Sequence, residues 1–470
     1  MERRFKLRKR VLLEEAQVNR AVFLGSLQRL ERFVQPFAGL LARPEQQQYA
    51  SDFIAGLISD VDRKNAEAIA YRDDQDRKPL QHFIGQANGD HQPLIGELAR
   101  QVGQQLGAPG GVIVFDPSGF PKKGTESVGV KRQWCGRLGK VENCQVGVYM
   151  GYASAEEHAL VNMRRYLPEE WAKDRQRRKK CQVPKNIRFK TRHDLSLEML
   201  DEVGASLPHA WIAGDDEMGR SSAFRRHLRD RAEQYLLAVP SNTLVRDLEA
   251  EPPEYPGRGA KPKAPFQRVD KWRASLPEAA WTKIDVRDGE KGPLVVELVK
   301  CRVQAKTDRR RVGPEEVLVV IRTSDEQGAV KHDYYLSNAA VETAFSEFAR
   351  VATAEHRIEE CIQRGKSETG LADYQVRSWP GWYHHQTLSL LASWFVLSET
   401  RRGKKYTPAM TFPQIREGIA SLLHSASQCD GPTRIARERT RRLERNQLAR
   451  FYHHNRRKLL APLASERRTI

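Results

Sequence analysis

Between residues 112 and 239 the apolar pattern switches back and forth between strand and helix periods, and that order constrains the fold of the 470-residue chain more than any other feature. The run VIVFD at 112–116 reads as a short buried strand. Residues 144–153 and 158–167 read as two more, joined at Ser154-Ala155-Glu156-Glu157 in the manner of a hairpin. A helical stretch at 194–205 precedes the strand HAWIAGD, which ends at Asp215; a helix at 221–233 and the strand YLLAV at 235–239 follow. The order β-β-β-α-β-α-β is ribonuclease-H-like, an α/β fold in which helices flank a mixed sheet on both faces.

The flanking segments have other periods. Residues 1–108 read as a helical domain: Phe33, Phe37, Leu40 and Leu41, then Phe53, Leu57, Ile58 and Val61, recur every three or four residues. Gly107, Pro109, Gly110 and Gly111 break that pattern and set the first boundary. The first part of the ribonuclease-H-like domain then occupies 109–239. From 240 to 338, prolines and glycines followed by apolar runs at 294–299 and 317–321 predict a β-rich insertion. Residues 339–410 supply the second part of the domain, with helices at 341–351, 354–366 and 386–397, and 411–470 form a basic helical C-terminal region.

Seventy-nine Lys and Arg stand against 60 Asp and Glu, a formal charge of +19, which favours a polyanionic partner. Two stretches concentrate it. Lys173–Arg192 carries ten Lys or Arg against Asp174 alone, and 434–468 carries twelve against three Glu, with Phe451, Tyr452, His453 and His454 interleaved. Each is either a phosphate track or a solvated segment. Six cysteines without a C-x-x-C argue against a disulfide framework and a structural zinc site, so a reducing cytoplasm is expected. MERRFKLRKR leads into Glu14 and Glu15 rather than a secretory apolar run, and Leu388–Leu397, interrupted by Ser389 and Ser393, is half the length of a bilayer span. No membrane association is expected.

The strand ends of such a sheet can gather the carboxylates that two hard divalent cations, about 4 Å apart, require. Asp116 ends the first strand, Asp215 ends the fourth, and Glu359 lies on a helix after the insertion, giving an Asp/Asp/Glu set. Asp216 and Glu217 follow Asp215 directly, but Asp215 is nearest the strand end; Glu360 is turned about 100° from Glu359. After Asp116, PSGFPKKG and KRQWCGRLGK place Lys122, Lys123, Lys131, Arg132, Arg137 and Lys140 near these acids, either as contacts to a phosphodiester backbone or as an ordinary basic loop. Lys366, two helical turns after Glu359, shares its face.

The blocks FDPSGFPKKGTESVGVKRQWCGRLGKVENCQVGVYMGY at 115–152, WIAGDDEMGR at 211–220, YLLAVPSNT at 235–243, YYLSNA at 334–339, and RIEECIQRGKSETGL with the following YQVRSWPGWYHHQTLSLLA resemble the bacterial DDE insertion-sequence transposases that carry a β-rich insertion before the glutamate. The resemblance implies that Asp116, Asp215 and Glu359 are the catalytic, metal-binding triad, and that Lys366 is the lysine of the family's Tyr-Arg-Glu-Lys signature, which engages the DNA end. The signature's tyrosine and arginine positions hold Ala352 and Glu355, which leaves their role to some other basic residue, of which Arg357 is one candidate. It further implies two Mg²⁺ ions (Mn²⁺ substituting), cleavage at the element's ends and strand transfer by in-line transesterification. The implied partners are double-stranded DNA, both terminal repeats and target, and a second copy of the chain in a synaptic dimer; the implied place is a bacterial cytoplasm, at the nucleoid. A transposase-derived DNA-binding regulator without catalysis and a hydrolytic metal-dependent DNA nuclease are the competing readings. In the insertion, Trp272 and Trp281 are expected in the core, with base stacking, as in relatives that form hairpin ends, the alternative.

Overall fold

The computed structural model describes residues 17–426 apart from 88, 256, 260, 290–291 and 325–328, with scattered residues on either side; MERRFKLRKR and the basic stretch 434–468 lie largely outside the described residues. The first helices are α1 (Ser26–Ala38), α2 (Pro44–Ile58), α3 (Ala66–Arg72), α4 (Arg77–Gly85) and α5 (Gln92–Leu106). Their apolar stripes, such as Leu30, Val34 and Phe37 on α1, are buried at the three- and four-residue spacing of the sequence. Asn65, whose side chain accepts from the backbone of Glu67 and Ala68, starts α3.

The next block is β1 (Val112–Pro121), β2 (Lys131–Cys135), β3 (Lys140–Ala153), β4 (His158–Arg165), α6 (Glu169–Lys173), α7 (Arg175–Lys180), α8 (Arg192–Val203), β5 (Trp211–Gly214), α9 (Asp216–Arg220), α10 (Ser222–Asp230) and β6 (Tyr235–Ala238). β4 pairs with β3, β3 with β1, β1 with β5 and β5 with β6; β1, β5 and β6 run parallel and β3 runs against β1. This is the ribonuclease-H-like sheet. The short parallel strands β5 and β6 are continuously apolar because both their faces are covered.

The insertion comprises β7 (Leu244–Asp247), β8 (Gln267–Arg268), α11 (Val269–Ala274), β9 (Thr282–Gly289), β10 (Gly292–Lys306), β11 (Val312–Ser324) and β12 (Val330–Ser337). It does not form a separate sheet. β12 pairs antiparallel with β6 through Tyr335–Ser337 and Leu236–Ala238, so the described strands make one twelve-stranded sheet. The insertion has a core of its own, around Val245, Trp272, Val303, Leu318 and Leu336. Trp272 is buried there, its indole donating to Asp247 at 2.8 Å, and the half-buried Trp281 packs beside this core with Arg322 over its ring.

After the insertion come α12 (Phe345–Glu368), α13 (Trp379–Lys404) and α14 (Phe412–Ala426). Where the sequence reading has two helices, at 341–351 and 354–366, the chain makes one, because Ala352, Thr353 and Ala354 contain no breaker and Ala352 and Ala354 are buried. α13 is buried almost all round, with Trp382, Leu391 and Trp394 inside, and the N-terminal helices α1, α2, α4 and α5 pack against it. One apolar cluster therefore runs from α1 through α13 into the β1–β5 sheet. Truncating Trp394 to alanine there would cost about 3–5 kcal/mol. Among the described residues no helix is long and apolar enough to cross a membrane.

Candidate active site

A cleft of about 770 Å³ opens at the rim of the sheet, with Asp116, Ser118, Arg137, Asp215, Lys331, Glu355, Glu359 and Lys366 among its walls. Asp116 is on β1, but not at its end. β1 pairs with β5 only as far as Phe115 opposite Gly214, while β3 pairs with it as far as Pro121. Past Phe115 the strand has a neighbour on one side only, which leaves room for the cleft and tolerates Pro117 and Pro121.

Asp215 follows the last residue of β5 and caps α9, its Oδ1 accepting from the Met218 backbone at 3.1 Å. Of the three consecutive acids only Asp215 faces the cleft: Asp216 pairs with Arg220 at 3.2 Å, and Glu217 with Arg192. Gly219 lets α9 lie this close, since a Cβ there would stand 1.9 Å from the Ala238 carbonyl oxygen on β6.

Helix α12 forms the opposite wall. It crosses β3 at Gly151, where a Cβ would press within 3.0 Å of Ile358. Glu355, Glu359 and Lys366 all reach the cleft from it, whereas Glu360 turns away to Arg364 and to His158, the latter at 3.2 Å. Glu355 is the acid that the sequence reading did not count as a site residue. Its position one turn before Glu359, hence on the same face, was the available signal.

The electrostatics are those of acids withdrawn from water, with their neighbours' charges as a second effect. Burial pushes the Asp116 carboxyl up to about 8, reinforced by Asp215 and Glu359 and opposed by Lys366. Burial likewise raises Asp215 to about 6, against the backbone bond from Met218. Glu355 rises to about 8 through burial and then the charges of Asp215, Asp333 and Asp116, with Lys331 opposing. Lys366 donates to Ser118 Oγ at 2.7 Å and lies 4.8 Å from the Phe120 ring centroid; burial lowers its pKa, with Asp116 acting the other way.

Carboxylate oxygens are hard donors, and a pocket that burdens several of them with raised pKa values fits divalent cations of the Mg²⁺ kind. As the side chains stand, no three His, Cys, Asp or Glu among the described residues are close enough to ligate one ion.

The predicted basic residues separate. Lys122 turns inward: its ammonium donates to the Tyr374 carbonyl oxygen at 3.1 Å, lies 3.4 Å from that ring's centroid, and burial lowers its pKa to about 7. Lys123 is exposed, Lys131 pairs with Glu170 at 3.0 Å, and Arg132 is exposed on β2. Ala352 is buried, and the Arg357 guanidinium donates to the carbonyl oxygens of Ser154 and Ala155 in the β3–β4 turn. Arg357 therefore does not stand in for the signature's arginine at the cleft.

The family model of the DDE superfamily endonucleases matches residues 36–293, more than half of the 470 residues. The chain belongs to this superfamily. The matched span includes β1 and β5 with Asp116 and Asp215, and ends before Glu359. No curated protein matches the chain. Among solved structures, a piggyBac transposase synaptic complex with hairpin DNA, seen by cryo-electron microscopy, is distantly similar: 11% identity and a TM-score of 0.37 over 87% of this chain and 80% of that one. The chain is thus a DDE-type enzyme, and Asp116 and Asp215 sit where β1 loses its parallel neighbour and where β5 ends.

Proposed function

We propose that this DDE endonuclease is a DNA transposase of an insertion sequence, cutting the element's ends and joining them to target DNA. The observation that carries the reading is the single cleft lined by Asp116, Asp215, Glu359 and Lys366, together with the family match. Asp116, Asp215 and Glu359 would hold two Mg²⁺ ions, with Mn²⁺ able to substitute. The chemistry those ions supply when bound is activation of a water or a 3′ hydroxyl and stabilisation of the leaving oxygen. The chain's own part is positioning. Ser118 holds the Lys366 ammonium toward Asp116, where it can bind a phosphate oxygen, and the fixed strand geometry keeps the two aspartates from having to be ordered at each turnover.

In this reading the partners are double-stranded DNA and a second copy of the chain in the synaptic complex, with Lys123, Arg132 and the helices α6 and α7 as further DNA contacts and residues 1–108 contributing to recognition of the ends. The setting is a bacterial cytoplasm at the nucleoid. The test is incubation of the purified protein with DNA bearing the element's ends, in Mg²⁺ or in EDTA, beside Asp116→Ala. Metal-dependent joined products support the proposal; cuts that are never joined leave a hydrolytic nuclease; binding without any cut by the intact protein leaves a regulator.

A further inference from the structure

The hairpin of β2 and β3 carries an apolar, cationic face that the proposed chemistry does not use. Trp134 is 60% exposed, and its directly paired cross-strand partner Val141 is 52% exposed. Leu138, in the turn between them, is 42% exposed. Strand alternation puts Arg132 on the same outward face as Trp134, while Cys135 on the other face is buried. The segment KRQWCGRLGK has four Lys or Arg and no acid, and Gly136 and Arg137 at its turn line the same cleft as Asp116.

We propose that this face is a stacking platform for an unpaired base of the DNA strand held in the cleft, with Trp134 against the base and Arg132 and Arg137 on the flanking phosphates. It rests on the DNA reading above. The charge selects a polyanion, and the indole selects one that offers a planar apolar face. In an intact duplex those faces are already stacked on each other. The platform therefore takes bases that have left the helix at a frayed or displaced end, next to the phosphate to be cut.

The experiment uses the full chain in EDTA, where no cleavage intervenes, and fluorescence anisotropy with two labelled DNAs: a blunt duplex, and the same duplex ending in a short run of unpaired thymidines. Wild type should prefer the frayed DNA. Trp134→Ala should lose roughly tenfold on it and leave the blunt duplex unchanged, and Trp134→Phe should keep most of the preference. Circular dichroism of each variant checks the fold. Replacing one thymidine by 5-iodouracil should yield a light-induced crosslink mapping to Trp134. Equal loss on both DNAs, no loss on either, or a Trp134→Ala variant that differs from wild type only in self-association overturns the platform. Wild type that binds both DNAs without preference overturns the platform alone, whereas wild type that binds neither overturns the DNA reading as well.

Discussion

The two walls of the cleft are built differently. On the strand wall, Asp116 and Asp215 are fixed by the register between β1 and β5 and by the cap of α9, so backbone pairing sets their separation. On the helix wall, two glutamates one turn apart face the same space, and only side-chain reach and the seating of α12 over Gly151 distinguish them. The strand wall admits one arrangement of its acids, and the helix wall admits two. A sheet gives precision because moving one acid means breaking a ladder, while a helix offers a repeated choice at every turn.

The largest expected effect lies on the strand wall. Asp116→Asn should lower metal-dependent cleavage by at least about a thousandfold while DNA binding in EDTA persists. Asp215→Ser, which retains a capping hydroxyl but removes the carboxylate, should do the same without unfolding α9. If either keeps its activity, the strand wall is not the metal wall.

The helix wall is sharpened next. Glu359→Gln should reduce cleavage by about a hundredfold and Glu355→Gln by less than about tenfold; the reverse ranking, in the same assay, would transfer the ligand role to Glu355. Lys366→Ala should weaken DNA binding by about tenfold and flatten the slope of log affinity against log salt by about one ion, as removal of a single phosphate contact does.

The smallest effect is on stability. Asp116 titrates near 8 in the fold and near the ordinary carboxylate value when unfolded, so between about pH 4 and 8 only the native state keeps its proton. Its stabilising contribution is complete below about pH 4 and is lost as pH rises to 8. In metal-free buffer the wild-type melting temperature should therefore fall across that range, and Asp116→Asn should fall by about 2 °C less. Added Mg²⁺ should raise the wild-type value more at pH 8 than at pH 6, because a deprotonated cleft binds it better.

The same contrast explains what could be read from the sequence. VIVFD, HAWIAGD and YLLAV are short, continuously apolar and bounded by clear breaks, so β1, β5 and β6 were legible, and with them the meeting of Asp116 and Asp215 at one cleft. The extension of β1 beyond Asp116 was not, because PSGFP has no strand pattern and is held there by pairing with β3, a long-range cause. Glu355 stands where the signature has its arginine, so the signature hides an acid that the one-turn spacing to Glu359 places on the cleft face. The inward turn of Lys122 depends on Tyr374, some 250 residues away in sequence, and no local spacing encodes that meeting. That the insertion would be β-rich was visible in its composition; that it would join the central sheet through β12 was not, since edge pairing leaves no mark on either strand.

That junction has a mechanical consequence. A lobe tethered by two loops could swing on its own, but one stitched to β6 by a hydrogen-bonded seam moves only with the strand that follows β5 and Asp215. With Lys331 of β12 lining the cleft, the insertion's far edge is joined to the cleft acids through one continuous hydrogen-bonded sheet, like a handle to its blade.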